Sequence, residues 1–169
     1  LADYAEILDG GINYNRALCR ELCLYHGNPQ DAGDLPILRG ADVSKTGIKH
    51  PTLFLRANWR RILAETSAKL QTKLFLGYSS RILCAPRILL RQTADRPICC
   101  VDSTPGGEIP LVGRSLLVLL PRPGVDPYVL ARRLNSPQAA HDYQQLSGER
   151  GRPFAQVKVN VLKRIPVRL

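Results

Sequence analysis

The run SLLVLLP at 115–121 constrains this chain more than any other stretch. Its length favours a strand over a helix, and Pro121 closes it because proline has no N–H to continue a ladder. PICCVD (97–102) has the same character, and STPGGEIP (103–110) between them is dense in turn formers. The two apolar runs are read as two buried strands separated by that turn.

Other stretches follow the same logic. LPILRG (35–40) and TLFLR (52–56) read as short strands, and RILCAPRILLRQT (81–93) as two extended pieces broken at Ala85-Pro86. Tyr4, Ile7 and Leu8 in LADYAEILDGG share a helical face that Gly10-Gly11 would stop, and NRALCRELCLYHG places Leu18, Leu22 and Tyr25 at helical spacing before Gly27. Trp59, Ile62, Leu63, Leu70 and Leu74 suit one amphipathic helix or two short ones. Asp126-Pro127 is a helix start, with the carboxylate as N-cap and proline at the first helical position. Ser136-Pro137 repeats the device, for a helix expected to end at Gly148. In the tail, Val157, Val159 and Val161 alternate with polar neighbours as in a half-buried strand. The fold class read from this is α+β: a mixed sheet of short strands with flanking helices.

With 169 residues, 44% of them hydrophobic and 22% charged, the chain is expected to form one domain over 1–169 with a real core. It contains no Met and begins with Leu, so it is expected to be a piece of a longer protein. Lys and Arg total 24 against 14 Asp and Glu, a formal charge of +10. That excess, mostly arginine, favours an anionic partner, and the planar guanidinium fork tilts the expectation to nucleic acid. A solvated basic surface with no partner is the plainer alternative. No stretch approaches the about 18 consecutive apolar residues of a membrane helix, so no membrane partner is expected. Five cysteines without framework spacing suit free, mostly buried thiols in a reducing cytoplasm.

Enzyme signatures are missing from the sequence. It has no phosphate-binding loop ending in Gly-Lys-Ser/Thr, no dinucleotide fingerprint, no Gly-x-Ser-x-Gly elbow and no His-Glu-x-x-His. Cys19, Cys23 and His26 could share one side of a helix, but a structural zinc site wants four ligands, and Cys99-Cys100 point to opposite strand faces. Buried thiols are the expectation, with no metal. More informative is RILLRQTADRP (87–97), where Arg91, Gln92 and Thr93 emerge at the end of a buried strand. These side-chain types read base edges or hold phosphates. Equally, Asp95 can pair with Arg91 or Arg96 and merely organise a turn.

PILRGADV (36–43), RILLRQTADRPI (87–98), LNS (134–136) and LSGERGRPFAQVKVNVLKRIPV (146–167) together resemble the TaqI-like C-terminal specificity domain, the target recognition domain of adenine-specific DNA methyltransferases in restriction-modification and phage-defence systems. The closing pattern Gly151, Lys158, Leu162, Pro166 is among its most specific parts, while GGINYNRA (10–17) and Pro137 depart from it. The resemblance implies a non-catalytic module that binds double-stranded DNA beside a methyltransferase domain or subunit. That separate part would hold S-adenosylmethionine and flip the adenine; no cofactor is expected in this chain. The DNA-binding candidates are Arg39, Lys45, Lys49, Arg60, Arg61, Arg150, Arg152 and Lys158 for phosphates, with Arg91, Gln92, Thr93 and Arg96 for phosphates or bases. Because such phrases are shared by domains reading different sequences, Gln92, Thr93, Asn135 and Lys158 are assigned to scaffold or backbone contact. Base selection is expected from 44–62 and 103–114. The alternative is a protein-interaction module with no direct sequence reading, docking a methyltransferase or defence-complex subunit through SLLVLLP and its neighbours, with the basic charge incidental.

Overall fold

A computed structural model describes residues 1–12, 22–66, 79–104, 109–148, 150–152 and 155–168. Its first sheet is antiparallel throughout and runs β1 (Ala5–Asp9), β10 (Leu116–Pro121), β7 (Arg87–Arg91), β8 (Cys99–Asp102). The second sheet has the order β2 (Leu24–His26), β6 (Leu53–Leu55), β3 (Leu35–Leu38), β9 (Leu111–Val112), with β3 and β9 parallel. A small hairpin, β4 (Val43–Ser44) and β5 (Gly47–Ile48), completes the strands described. The helices are α1 (Trp59–Thr66), α2 (Pro127–Leu134), α3 (Pro137–Ser147) and the single turn α4 (Val159–Leu162). This is the α+β class expected from the sequence.

Why the two long apolar runs lack alternation follows from the layering. Leu117, Leu119, Ile88, Leu90 and Cys99 face α2, α3 and α4, whereas Leu116, Val118, Leu89 and Cys100 face Leu38 and Val112 of the second sheet. With both faces covered, successive positions along the middle of an inner strand are apolar. Leu116 to Leu119 are accordingly 0% exposed, and each such side chain contributes roughly 2 kcal/mol of burial. The outer face of the second sheet, with Ile37, Leu53, Leu55 and Leu111, packs on Trp59 and Leu63 of α1. From one side to the other the layers are α2–α4, first sheet, second sheet, α1.

Local signals placed the capped helices well. Asp126 accepts from the N–H groups of Tyr128 and Val129, Ser136 accepts from Ala139 N–H, and Gly148 ends α3 in the left-handed region at φ 65°. Gly10 is required for a different reason: a Cβ there would collide with the carbonyl oxygens of Leu116 and Gly113, where the chain leaves β1 against the start of β10.

Four expectations are corrected. Residues 5–9 form strand β1 instead of a helix, because Ile7 packs toward the helical layer and Leu8 toward the second sheet. Leu24–His26 pair with β6 as a strand; most of the helix expected before them, and the half of the 58–74 pattern beyond Thr66, lie outside the described residues. Residues 80–83 form a 3-10 turn capped by Ser79 instead of an extended piece. The valine-rich tail is extended only to Val157 and then turns into α4, because Val161, Leu162 and Ile165 reach the core together at helical spacing.

Candidate nucleic-acid interface

The two ends of the first sheet differ in how they hold charge. At the end where β7 begins and β8 finishes, Arg87 and Asp102 stand opposite each other in register and both are buried. Arg87 Nε donates to Asp102 Oδ2 at 2.8 Å and Nη2 to the Pro110 carbonyl at 2.8 Å, while Nη1 donates to the Ile82 carbonyl. Asp102 Oδ1 accepts from the Thr104 N–H and hydroxyl. A buried pair of this kind is tolerated only because its hydrogen bonds are met. It is a scaffold.

At the other end β7 finishes, β8 and β10 start, and the basic candidates collect. Arg91 N–H donates to the Ile98 carbonyl and Gln92 N–H to the Ser115 carbonyl, so the 92–98 loop and exposed Arg114 share this end. Gln92 also accepts from Val157 N–H at 2.6 Å, and Thr93 bridges to Gln156, which draws exposed Lys158 alongside. Thr93, Asp95 and Arg152 line a shallow hollow of about 310 Å³. Arg96 is exposed 3.8 Å from Asp95, and Arg150 is exposed near Arg152 in the chain.

Several candidates are tied into the scaffold. Arg91 Nε donates to the Val43 carbonyl at 2.7 Å, which fixes the β4–β5 hairpin to the sheet. Arg39 is held by Asp42 through Nε and by Thr52 through Nη2. Asn135 clasps both backbone groups of Cys99, with Oδ1 accepting at 3.0 Å and Nδ2 donating at 2.7 Å. Lys158 N–H donates to the Tyr143 hydroxyl, which itself donates to the Gln156 carbonyl. Lys49 is exposed just beyond β5. The structure does not bring Arg60 and Arg61 to this end: they sit on α1 beyond the second sheet, Arg60 over the Trp59 ring and Arg61 3.8 Å from Glu65.

The β4–β5 hairpin makes a second concavity here. Lys45 Nζ donates to the Asn135 carbonyl at 2.9 Å, and a cleft of about 450 Å³ opens between the hairpin, β8 and α2. Lys45, Thr46, Tyr128 and Arg132 stand around it, over Cys99, Cys100 and Ala131. Burial holds the Cys100 thiol up at about 11 and raises Cys99 as well, so this floor is neutral at physiological pH. Tyr128, Arg132 and Arg114 were not singled out by sequence reasoning. Arg132 and Arg133 close α2 where any solvated helix end carries cations, and only the hairpin packed across β8 gives Arg132 a cleft.

The described members of the Cys19, Cys23, His26 set are not brought together as metal ligands. Cys23 is buried beneath Trp59, His26 is exposed at the end of β2, and Cys19 lies outside the described residues. Among the described residues no three His, Cys, Asp or Glu side chains are grouped to hold a metal ion, and no helix is long and apolar enough to cross a membrane. Within SLLVLLP, Leu116 to Leu119 offer no docking surface, since β10 lies between β1 and β7 and both faces are covered there.

Residues 35–167 match the TaqI-like C-terminal specificity domain. The chain belongs to this family. A specificity domain is not itself catalytic, and membership ties the chain to DNA recognition in methyltransferases. No curated protein matches the chain. The family match begins at β3, so it takes in the hairpin, the 92–98 loop and the cleft, while β1 and β2 precede it.

Proposed function

We propose that this chain is the target recognition domain that directs an adenine-specific DNA methyltransferase of a restriction-modification or phage-defence system to its site in the cytoplasm. In this reading 1–169 act as one DNA-binding unit, and S-adenosylmethionine, base flipping and methyl transfer belong to a separate catalytic domain or subunit. The observation that carries it is the gathering of exposed Lys45, Arg96, Arg114, Arg152 and Lys158 at the open end of the first sheet.

Two layers of contact follow. The exposed cations neutralise phosphates and give sequence-blind, salt-dependent affinity. Polar groups on the β4–β5 hairpin, Thr46 among them, reach base edges, while Gln92 and Thr93 hold the 92–98 loop in place. Arg91 and Asn135 position those loops through Val43 and Cys99. Selection of duplexes from a randomised pool at moderate salt, followed by sequencing, tests the reading. An enriched short motif is expected; binding that neither enriches a motif nor weakens with salt overturns it.

A further inference from the structure

The cleft between the β4–β5 hairpin and α2 differs chemically from three other concavities among the described residues. The groove beside Pro166 includes Asp142, the one beside Phe54 includes Asp31 and Asp34, and the hollow at Thr93 includes Asp95. Among its described lining residues the hairpin cleft has two cations and no carboxylate. Its volume, about 450 Å³, lies within the roughly 300–1,000 Å³ of small-ligand sites.

The lining is also fixed in place. Lys45 spends one donor on the Asn135 carbonyl, which leaves two of its three ammonium N–H groups for a ligand. Asn135 in turn is locked to Cys99, so the ammonium is held over the start of β8 by a bonded chain. Arg132 is exposed and makes no ion pair or hydrogen bond with the described residues. Tyr128 is 61% exposed, an unusual position for a large aromatic, with its hydroxyl 3.3 Å from Ser103 Oγ. Anion-binding donors on two walls, an aromatic face at the rim and an apolar floor match a nucleotide unit: phosphate against the cations, base or sugar against the ring.

Resting on the DNA reading above, we infer that Lys45, Arg132 and Tyr128 form a subsite for one phosphodiester and its attached nucleoside, the place where the DNA backbone is gripped beside the hairpin. The subsite sets register, bringing the Ser44–Gly47 turn to the groove at a fixed distance from one phosphate.

Duplex affinity measured against salt for wild type, Arg132→Gln, Tyr128→Ala and the double variant tests this, with Lys163→Gln, exposed at the end of α4, as a control. Arg132→Gln is expected to lower affinity about tenfold and the salt slope by about 0.9, one phosphate contact, while Lys163→Gln changes neither. Both cleft residues are exposed, so unchanged melting temperatures verify folding. Wild-type salt-dependent binding that Arg132→Gln and Tyr128→Ala leave intact overturns the subsite and keeps the DNA reading. Wild-type chain that binds no duplex overturns the DNA reading instead. The cleft is then judged with thymidylyl-thymidine: amide shifts at Lys45, Thr46 and Arg132 uphold it, and their absence, or equal shifts with inorganic phosphate, overturns it.

Discussion

The two ends of the first sheet carry arginines from one strand, four residues apart, with opposite physical status. Arg87 is wholly buried and neutralised by Asp102, whereas Arg91 is half-buried and bonds only to a backbone carbonyl among the contacts described, at an end crowded with exposed cations. A guanidinium out of water needs a partner charge, so the closed end is committed to stability. At the open end the cations are exposed and solvent screens them, so they stand where an anion can approach. The same residue type therefore does unrelated work at the two ends, and burial decides which.

The strongest way to break this contrast is Arg87→Met. It strands the Asp102 carboxylate in the core and is expected to cost about 3–5 kcal/mol in urea unfolding. Adding Asp102→Leu should recover most of the loss, and a single-variant loss below about 0.5 kcal/mol would show that the closed end is not a scaffold.

Asp34 extends the contrast to the second sheet. Its burial opposes ionisation, yet hydrogen bonds from the Tyr25 hydroxyl and the N–H groups of Asp31, Ala57 and Gln30 outweigh that and hold its carboxyl at about 2. The lowered value means that the folded state prefers the ionised form. Its stabilisation is complete above about pH 4 and is lost as pH falls toward 2. Asp34→Ala is expected to cost about 2–3 kcal/mol at neutral pH by orphaning those donors. The gap between variant and wild type should close in urea titrations from pH 4 to pH 2; a constant gap would assign the loss to packing alone.

Asn135→Ala has the smallest expected effect and sharpens the description of the open end. Removing its side chain leaves the N–H and carbonyl of Cys99 without their partner, at about 1 kcal/mol, and should speed hydrogen exchange at Cys99 and the hairpin. Unchanged exchange would mean that the Asn135 side chain does not help to hold the hairpin, which Arg91 and the Lys45 bond to the Asn135 backbone carbonyl would then secure.

What the sequence disclosed depends on whether the determining forces are local. Asp126-Pro127, Ser136-Pro137 and Gly148 state their helix boundaries through hydrogen bonds within a few residues, and α2 and α3 begin and end there. β7, β8 and β10 were legible because burial on both faces leaves continuous apolar runs. β1 was misread because a half-covered edge strand shows Ile7 and Leu8 side by side, the same pattern as a helix face. In the tail, the valine alternation is real, but Leu162 and Ile165 add a helical set that wins once the core is assembled. The site divided similarly: the basic loop after β7 could be read from residues, whereas Arg132 and Tyr128 gained meaning only from a hairpin far away in sequence.

The hydrogen bonds at the closed end also decide where the chain leaves the sheet and where it returns. Thr104 is fastened to Asp102 and the Pro110 carbonyl to Arg87, so the exit from β8 and the approach to β9 hang on the same ion pair. One buried contact thus acts as a common anchor for two points of the backbone, and its loss is expected to release both together.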